Sequence, residues 1–350
     1  MKELFEGTVS FVTPTFLGGA DKNAELRAPA FKALLRFWWR IAVAKKYSYD
    51  VNTLLVNEED IFGTVRTWPA KKSKLILSVE ETPSINIIAS NESELIQKID
   101  AITKNNINTL HYLGYGVVVG QNDIKSGLIS RKVFAPSKLS MAEGQMKIRI
   151  LQRGLSNEQI EELENALVLM SKYASIGNSS RNGFGSLQIR GGYASGRVHS
   201  FRDTLTNCLI RIEEFHSWPS SFGCDDHMKP AIWNTKVAPN WTEVMKTFEI
   251  INREIRTEGK QLHQFHNSNK NWNIAGGANP RWPSQMRFHI ALVENKVTKI
   301  LSYQGSIFHI PVFYSEATRQ LEIDFWKKIH GKLDRYQLED SKIKLTREGV

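Results

Sequence analysis

Residues 29–46 narrow most sharply what this chain can become. Pro29 opens the stretch and Lys45 and Lys46 close it, while Phe31, Leu34, Leu35, Phe37, Trp38, Trp39 and Ile41 leave only Lys32, Arg36 and Arg40 as polar side chains between them. Proline suits a first helical turn and lysines a last one, so the spacing predicts one long helix. A helix so apolar must be packed on most of its sides. Its three cations recur every fourth residue, drift by only about 40° each and form a narrow stripe. Such a row meets either water, with its aliphatic stems covering the core, or phosphates. Trp38 and Trp39 point about 100° apart and cannot both face one ligand, so they are expected to pack.

Around this helix the pattern alternates between strands and helices. Leu4 to Val12, with Phe5, Val9 and Phe11 on one side, has the period of a half-buried strand. Further strands are expected at Lys74 to Glu80, Gly116 to Val119, Lys147 to Leu151 and Ser186 to Arg190, and further helices at Glu92 to Thr103 and at Ser156 to Ala174. Ser156 and Gln159 have the spacing of a capping box. This order is that of a ferredoxin-like module, the shape also used by RNA recognition motifs. The small, glycine-rich run Gly191 to Gly196 reads as a boundary, dividing the chain into domains 1–192 and 193–350. Beyond it, helical patterns at Asp203 to Phe215, Thr242 to Thr257 and Glu316 to Ile329 flank an alternating segment, Gln285 to Val293. The expected fold class is therefore α+β, with two ferredoxin-like domains, the second divergent and helix-enriched.

With 350 residues and 41% hydrophobic content, each domain can bury a core. Lys and Arg number 46 against 36 Asp and Glu, a net charge of +10 that suits a polyanionic partner. No apolar stretch approaches the roughly 20 residues of a membrane span, and the first residues lack the layout of a secretion signal. Cys208 and Cys224 have no C-x-x-C spacing, so no disulfide framework is expected, and the chain reads as cytoplasmic with no membrane partner.

Gly177 to Gly185 encloses Asn178, Ser179, Ser180, Arg181, Asn182, Gly183 and Phe184. It joins a helix to a strand, the reverse of a Walker loop or a dinucleotide fingerprint. Backbone amides and small hydroxyls around one arginine suit a sugar-phosphate backbone, although many glycine-rich turns are only turns. In a ferredoxin-like module the first helix and this loop can approach one edge, so Lys32, Arg36 and Arg181 could hold consecutive phosphates. Arg281, Arg287 and the basic loop at Arg131 and Lys132 make a second candidate path. Cys208, His216, Cys224 and His227 are ligand types for zinc, but their separations match no structural zinc site, and no metal or cofactor is expected. His263 and His266, read as loop residues, could act as acid and base in metal-free RNA cleavage. Asp21 is a single carboxylate and makes no site.

In combination, the segments Thr13 to Asp21, Glu25 to Arg40 and Gly177 to Gly185 resemble the RAMP superfamily of CRISPR systems. The tryptophan pair is similar to that of the first-numbered Cmr subunits of type III-B effector complexes, which consist of two ferredoxin-like domains. The resemblance implies a non-catalytic subunit of an antiviral ribonucleoprotein. It would bind guide RNA near its 3′ end and the paired target RNA, beside other Cmr subunits including the RAMP backbone subunits. It also implies RNA contacts from Gly18, Gly19, Arg27, Lys32, Arg36, Arg40, Ser179, Ser180, Arg181, Gly183, Phe184, Gly185 and Arg281. In related backbone subunits a loop aspartate cleaves target RNA; Asp21 lies near that place but is not matched to it. The alternative within the superfamily is a metal-independent endoribonuclease that processes guide precursors.

Overall fold

A computed structural model describes residues 1–16, 27–81, 87–89, 109, 112–114, 133–134, 145–214, 221–265, 285–295, 298–312, 319–336 and 343–349. The expected helix at 92–103 and strand at 116–119 lie outside these residues, as do Gly18, Gly19, Asp21, Arg131, Lys132, His216, His266 and Arg281.

The first half runs β1 (Lys2–Phe11), β2 (Thr15–Phe16), α1 (Ala28–Val43), α2 (Val51–Phe62), β3 (Leu75–Glu81), β4 (Ile87–Ala89), β5 (Val133–Phe134), β6 (Gln145–Gln152), α3 (Asn157–Tyr173) and β7 (Leu187–Tyr193). Strands β3, β6, β1 and β7 form an antiparallel sheet in that spatial order, and β2, β5 and β4 a smaller one. α1 starts with proline in its first turn and buries Phe31, Leu35, Trp38, Trp39, Ile41 and Val43. α3 starts on the expected capping box, with both reciprocal bonds of Ser156 and Gln159 in place. The sequence reading did not anticipate α2, although Asp50 accepts a bond from the Thr53 amide at its N-cap, a signal present in the sequence.

The second half runs α4 (Phe201–Asn207), β8 (Leu209–Arg211), β9 (Phe222–Cys224), β10 (Ile232–Thr235), α5 (Trp241–Phe265), β11 (Met286–Glu294), β12 (Leu301–His309), α6 (Arg319–Arg335) and β13 (Leu345–Arg347). Its antiparallel sheet has the spatial order β11, β12, β10, β13. Counted along the chain, both four-stranded sheets place their second, third, first and fourth strands side by side. The molecule is thus α+β with antiparallel sheets. No helix among the described residues is long and apolar enough to cross a membrane.

Gly191, Gly192 and Tyr193, at the start of the glycine-rich run, continue β7 opposite Gly7, Glu6 and Phe5. One expectation is corrected. The helix expected over 203–215 ends at Asn207, because Leu209 and Ile210 are both buried and pair with Phe222 and Gly223 in a parallel ladder.

The halves meet along β7 and β11. His289 Nε2 lies 3.1 Å from the Leu187 carbonyl, Ser186 Oγ accepts from the Ile290 amide at 3.0 Å, and Gln188 Nε2 donates to the Leu292 carbonyl at 3.3 Å. Phe222 and Phe308 of the second half sit beside Trp38 and Tyr173 of the first, so the apolar cluster they share draws on both halves. The glycine-rich segment lies at this seam.

Candidate nucleic-acid interface

The cationic stripe of α1 is largely committed inside the protein. Arg40 Nη2 donates to Glu58 Oε1 at 2.7 Å and its Nε to the other carboxylate oxygen, and Arg36 Nε lies 3.4 Å from the same group. Glu58, on α2, is only 4% exposed. A buried carboxylate is costly unless paired, and two arginines on successive turns of α1 supply the pairing. Arg36 also lies over the Phe62 ring at 5.2 Å, and its Nη2 reaches the Gly63 carbonyl at 3.4 Å. Lys32, nearer the start of α1, has no ion pair among the described residues. Partial burial, and secondarily the charge of Arg36, hold its ammonium below the ordinary value. Arg27 occupies the N-cap in an extended conformation and is exposed.

Most of the loop's polar backbone is engaged with the protein. Gly185 N–H donates to the Pro14 carbonyl, Asn178 N–H to Phe16, and the Gly183 carbonyl accepts from both Thr13 Oγ1 and Ser186 Oγ. The Arg181 carbonyl accepts from the Phe288 amide of β11. Gly183 and Gly185 have φ of +92° and +64°. A Cβ on Gly185 would lie 1.9 Å from the Ile176 carbonyl oxygen, and one on Gly183 would meet Met245 and Phe248 near 3 Å. Glycine is required here by close approach of the protein's own chain. Phe184 is 1% exposed and packs on Phe16 at 5.2 Å, so its ring is a core element. Residues 177–182, Ser179, Ser180 and Arg181 among them, are half-buried and form the part of the loop that reaches solvent.

That part opens onto a cleft of about 260 Å³ between α1, the loop and β11, lined by Leu34, Phe37, Gly177, Ser180, Arg181 and Arg287 among others. Arg287 lies over the Phe37 ring at 4.5 Å. The lining holds two arginines and no carboxylate among the described residues. Helix α1 and the loop therefore share an edge, but through Ala30, Ala33, Leu34 and Phe37. Lys32, Arg36 and Arg40 occupy another side of α1, toward α2, and do not face Arg181 together. Of the second candidate path, Arg287 reaches this cleft. The strand alternation that sets Met286, Phe288 and Ile290 on one face is the sequence signal for it.

The remaining candidates find other roles. Cys208 and Cys224 are buried, and burial pushes both thiols up to about 12. Asp225 Oδ1 accepts the His227 and Lys229 amides, and its Oδ2 pairs with Arg347 at 3.0 Å. Among the described residues no cluster of three or more His, Cys, Asp or Glu could hold a metal. His263 lies within α5, not in a loop, because the amphipathic helix runs on to Phe265.

Comparison with known proteins agrees with this architecture. No curated protein matches the chain. The crystal structure of Cmr1 from Pyrococcus furiosus in its apo form superposes with a TM-score of 0.55 at 17% identity, covering 98% of each chain. A chain of a type IV-B CRISPR complex, at 12% identity, covers 56% of this chain and 92% of its own with a TM-score of 0.35, a likeness too loose to argue from. Residues 8–188, more than half of the sequence and running from the end of β1 through the tryptophan helix to the glycine-rich loop, match the RAMP superfamily, and the chain belongs to that family.

Proposed function

We propose that this protein is a non-catalytic, RNA-binding subunit of a type III-B CRISPR (Cmr) surveillance complex. In this reading it is built of two ferredoxin-like units, 1–192 and 193–350. It contacts guide RNA near its 3′ end and the paired target RNA, in antiviral defence, with other Cmr subunits as neighbours. The observation that carries the reading is the cleft where the family's helix and glycine-rich loop meet, lined by Arg181, Arg287, Ser180 and Phe37. Two guanidiniums and a hydroxyl suit a phosphate, and an aromatic wall suits a sugar or base. Family membership, the end-to-end fold likeness to a Cmr1 and the net charge of +10 support it.

Two measurements test it. Tagged protein purified from its host should carry short guide RNA and other RAMP subunits. Arg181→Ala/Arg287→Ala, with folding checked by thermal melt, should weaken binding of unrelated single-stranded RNAs alike. It should also flatten the salt dependence by about 0.7 log units per lost phosphate contact. Purified protein incubated with repeat RNA in EDTA should leave it intact; discrete cleavage would replace this reading with the endoribonuclease one.

A further inference from the structure

Between α2 and β3 the chain forms a short hairpin, clamped where Thr64 and Lys71 exchange backbone hydrogen bonds of 3.0 and 2.9 Å. Thr64 Oγ1 accepts the Arg66 amide at 3.1 Å and donates to Glu59 of α2 at 3.1 Å, which fixes the base of the tip. At the tip Trp68 is 96% exposed and Val65 90%. Trp38, Trp39, Trp233, Trp241 and Trp326 are each 6% exposed or less. Isolated apolar residues on a surface are ordinary. A tryptophan held fully in water on a clamped turn has a different cost, since burying it under neighbouring chain would be favourable by a few kcal/mol.

The setting is cationic. Among the described residues Lys71 and Lys72 are exposed and in no ion pair, with Asp60 within electrostatic reach of Lys71, and Arg66 pairs with Glu59 at 3.7 Å. The root of the hairpin adjoins the stripe side of α1, through Arg36 Nη2 on the Gly63 carbonyl and the Arg36 guanidinium over Phe62. The tip thus presents one large flat ring among cations, next to the side of α1 that carries Lys32. A protein hot spot surrounds its aromatic anchor with further apolar surface, and a membrane anchor needs more apolar area than one indole and one valine. An aromatic face flanked by lysines is how single-stranded nucleic acid is held, one base on the ring and phosphates on the cations.

We propose that Trp68 is a stacking site for an unpaired nucleobase, with Lys71 and Lys72 holding the adjoining phosphates. This rests on the RNA-binding reading but uses a site separate from the cleft. The test compares three labelled probes of one length: a mixed-sequence single-stranded RNA, the same RNA fully paired, and an abasic sugar-phosphate strand. Trp68→Ala should weaken the single strand by about 5- to 150-fold, the range of one base–aromatic stack, while Trp68→Phe keeps most of the affinity. Binding of the abasic strand and of the duplex should not change in Trp68→Ala. Lys71→Ala/Lys72→Ala should flatten the salt slope by about 1.4 on both single strands.

Wild-type affinity of Trp68→Ala for the single strand would overturn the stacking site alone, provided the wild type binds. Equal losses on the abasic strand would overturn it as well, as would a defect confined to anionic vesicles or to copurifying protein. A wild type that binds none of the probes would remove both this site and the function proposed above. Trp68 makes no ring contact among the described residues, so the variants should melt with the wild type.

Discussion

In the first half of the molecule the buried titratable groups include three carboxylates, Glu58, Glu162 and Glu164; in the second they include three imidazoles, His289, His309 and His330. Glu58 is met by Arg40 and Arg36, Glu164 by His199 at 2.8 Å, and Glu162 by Tyr47 at 2.7 Å, Trp39 Nε1 at 3.2 Å and Lys46. In the second half His309 Nε2 lies 3.0 Å from Gln285 Oε1, and its Nδ1 lies 3.0 Å from His330 Nε2. Gln285 Oε1 also accepts the Val312 amide, so His309 Nε2 donates, and with the His309 ring neutral, as its burial favours, His330 donates to His309 Nδ1. That contact excludes only the state with both rings charged, and burial favours the one with both neutral. Two further ionisable groups are buried in this half, Glu322 and Arg347, the latter held by Asp334, Asp225 and two backbone carbonyls. Two sheets with the same strand order are thus stabilised differently, one by ion pairing drawn from its helices and one by proton placement.

The largest expected effect comes from the tryptophan that joins both roles in the first half. Trp39→Ala empties a fully buried site and removes one donor from Glu162, so it should cost about 3–5 kcal/mol, read as a drop in urea midpoint. If stability held while RNA affinity fell, the ring would be a ligand contact after all.

Arg40→Ala comes next. It leaves Glu58 with Arg36 alone and should cost about 3 kcal/mol, with recovery in Arg40→Ala/Glu58→Leu, where no carboxylate remains buried at that site. A single variant of full stability that binds RNA poorly would instead make the stripe a phosphate contact.

Acid should single out the other half. Burial lowers His330 to about 3, His289 to about 4, and His309 well below its ordinary value. The unfolded rings titrate near 6.5, so the unfolded state binds more protons as pH falls through that value, and stability drops. Between pH 7 and 5.5 the loss should approach about 1 kcal/mol per histidine, measured by urea unfolding at both pH values. The carboxylates held low by their partners, Asp60 and Glu213 among them, keep their contribution throughout this window. A midpoint flat from pH 7 to 5.5 would show that the imidazoles are charged or hydrated in the fold.

The smallest effect on stability should come from Lys32→Ala, within about 0.5 kcal/mol of wild type. If Lys32 holds a phosphate, RNA binding should lose about 0.7 of its salt slope, and an unchanged slope would confine RNA to the cleft and the tryptophan tip.

Much of this was legible before any coordinates. Apolar periodicity placed α1, α3 and β6, and the capping box located the start of α3. Alternation placed β1 and β11. These signals are local: a helix face or strand face is written within a few residues of itself. Helix α4 fell short of its pattern because Leu209 and Ile210 pair with residues twelve or more positions away.

The motifs, too, were visible in the sequence, but their roles were not. Arg36, Arg40, Phe184 and Gly185 all carry the family's pattern, and each is explained by a partner distant in sequence: Glu58, Phe16 and the Ile176 carbonyl. The sequence by itself determined where the strongly periodic segments α1, α3, β1, β6 and β11 form, the positive charge of the chain and its superfamily signature. Only the tertiary structure decided which cations are neutralised, which glycines yield to neighbouring chain and which tryptophan stays in water. Those depend on what comes within a few ångströms, and contacts across the seam between the halves leave no period in the sequence to read.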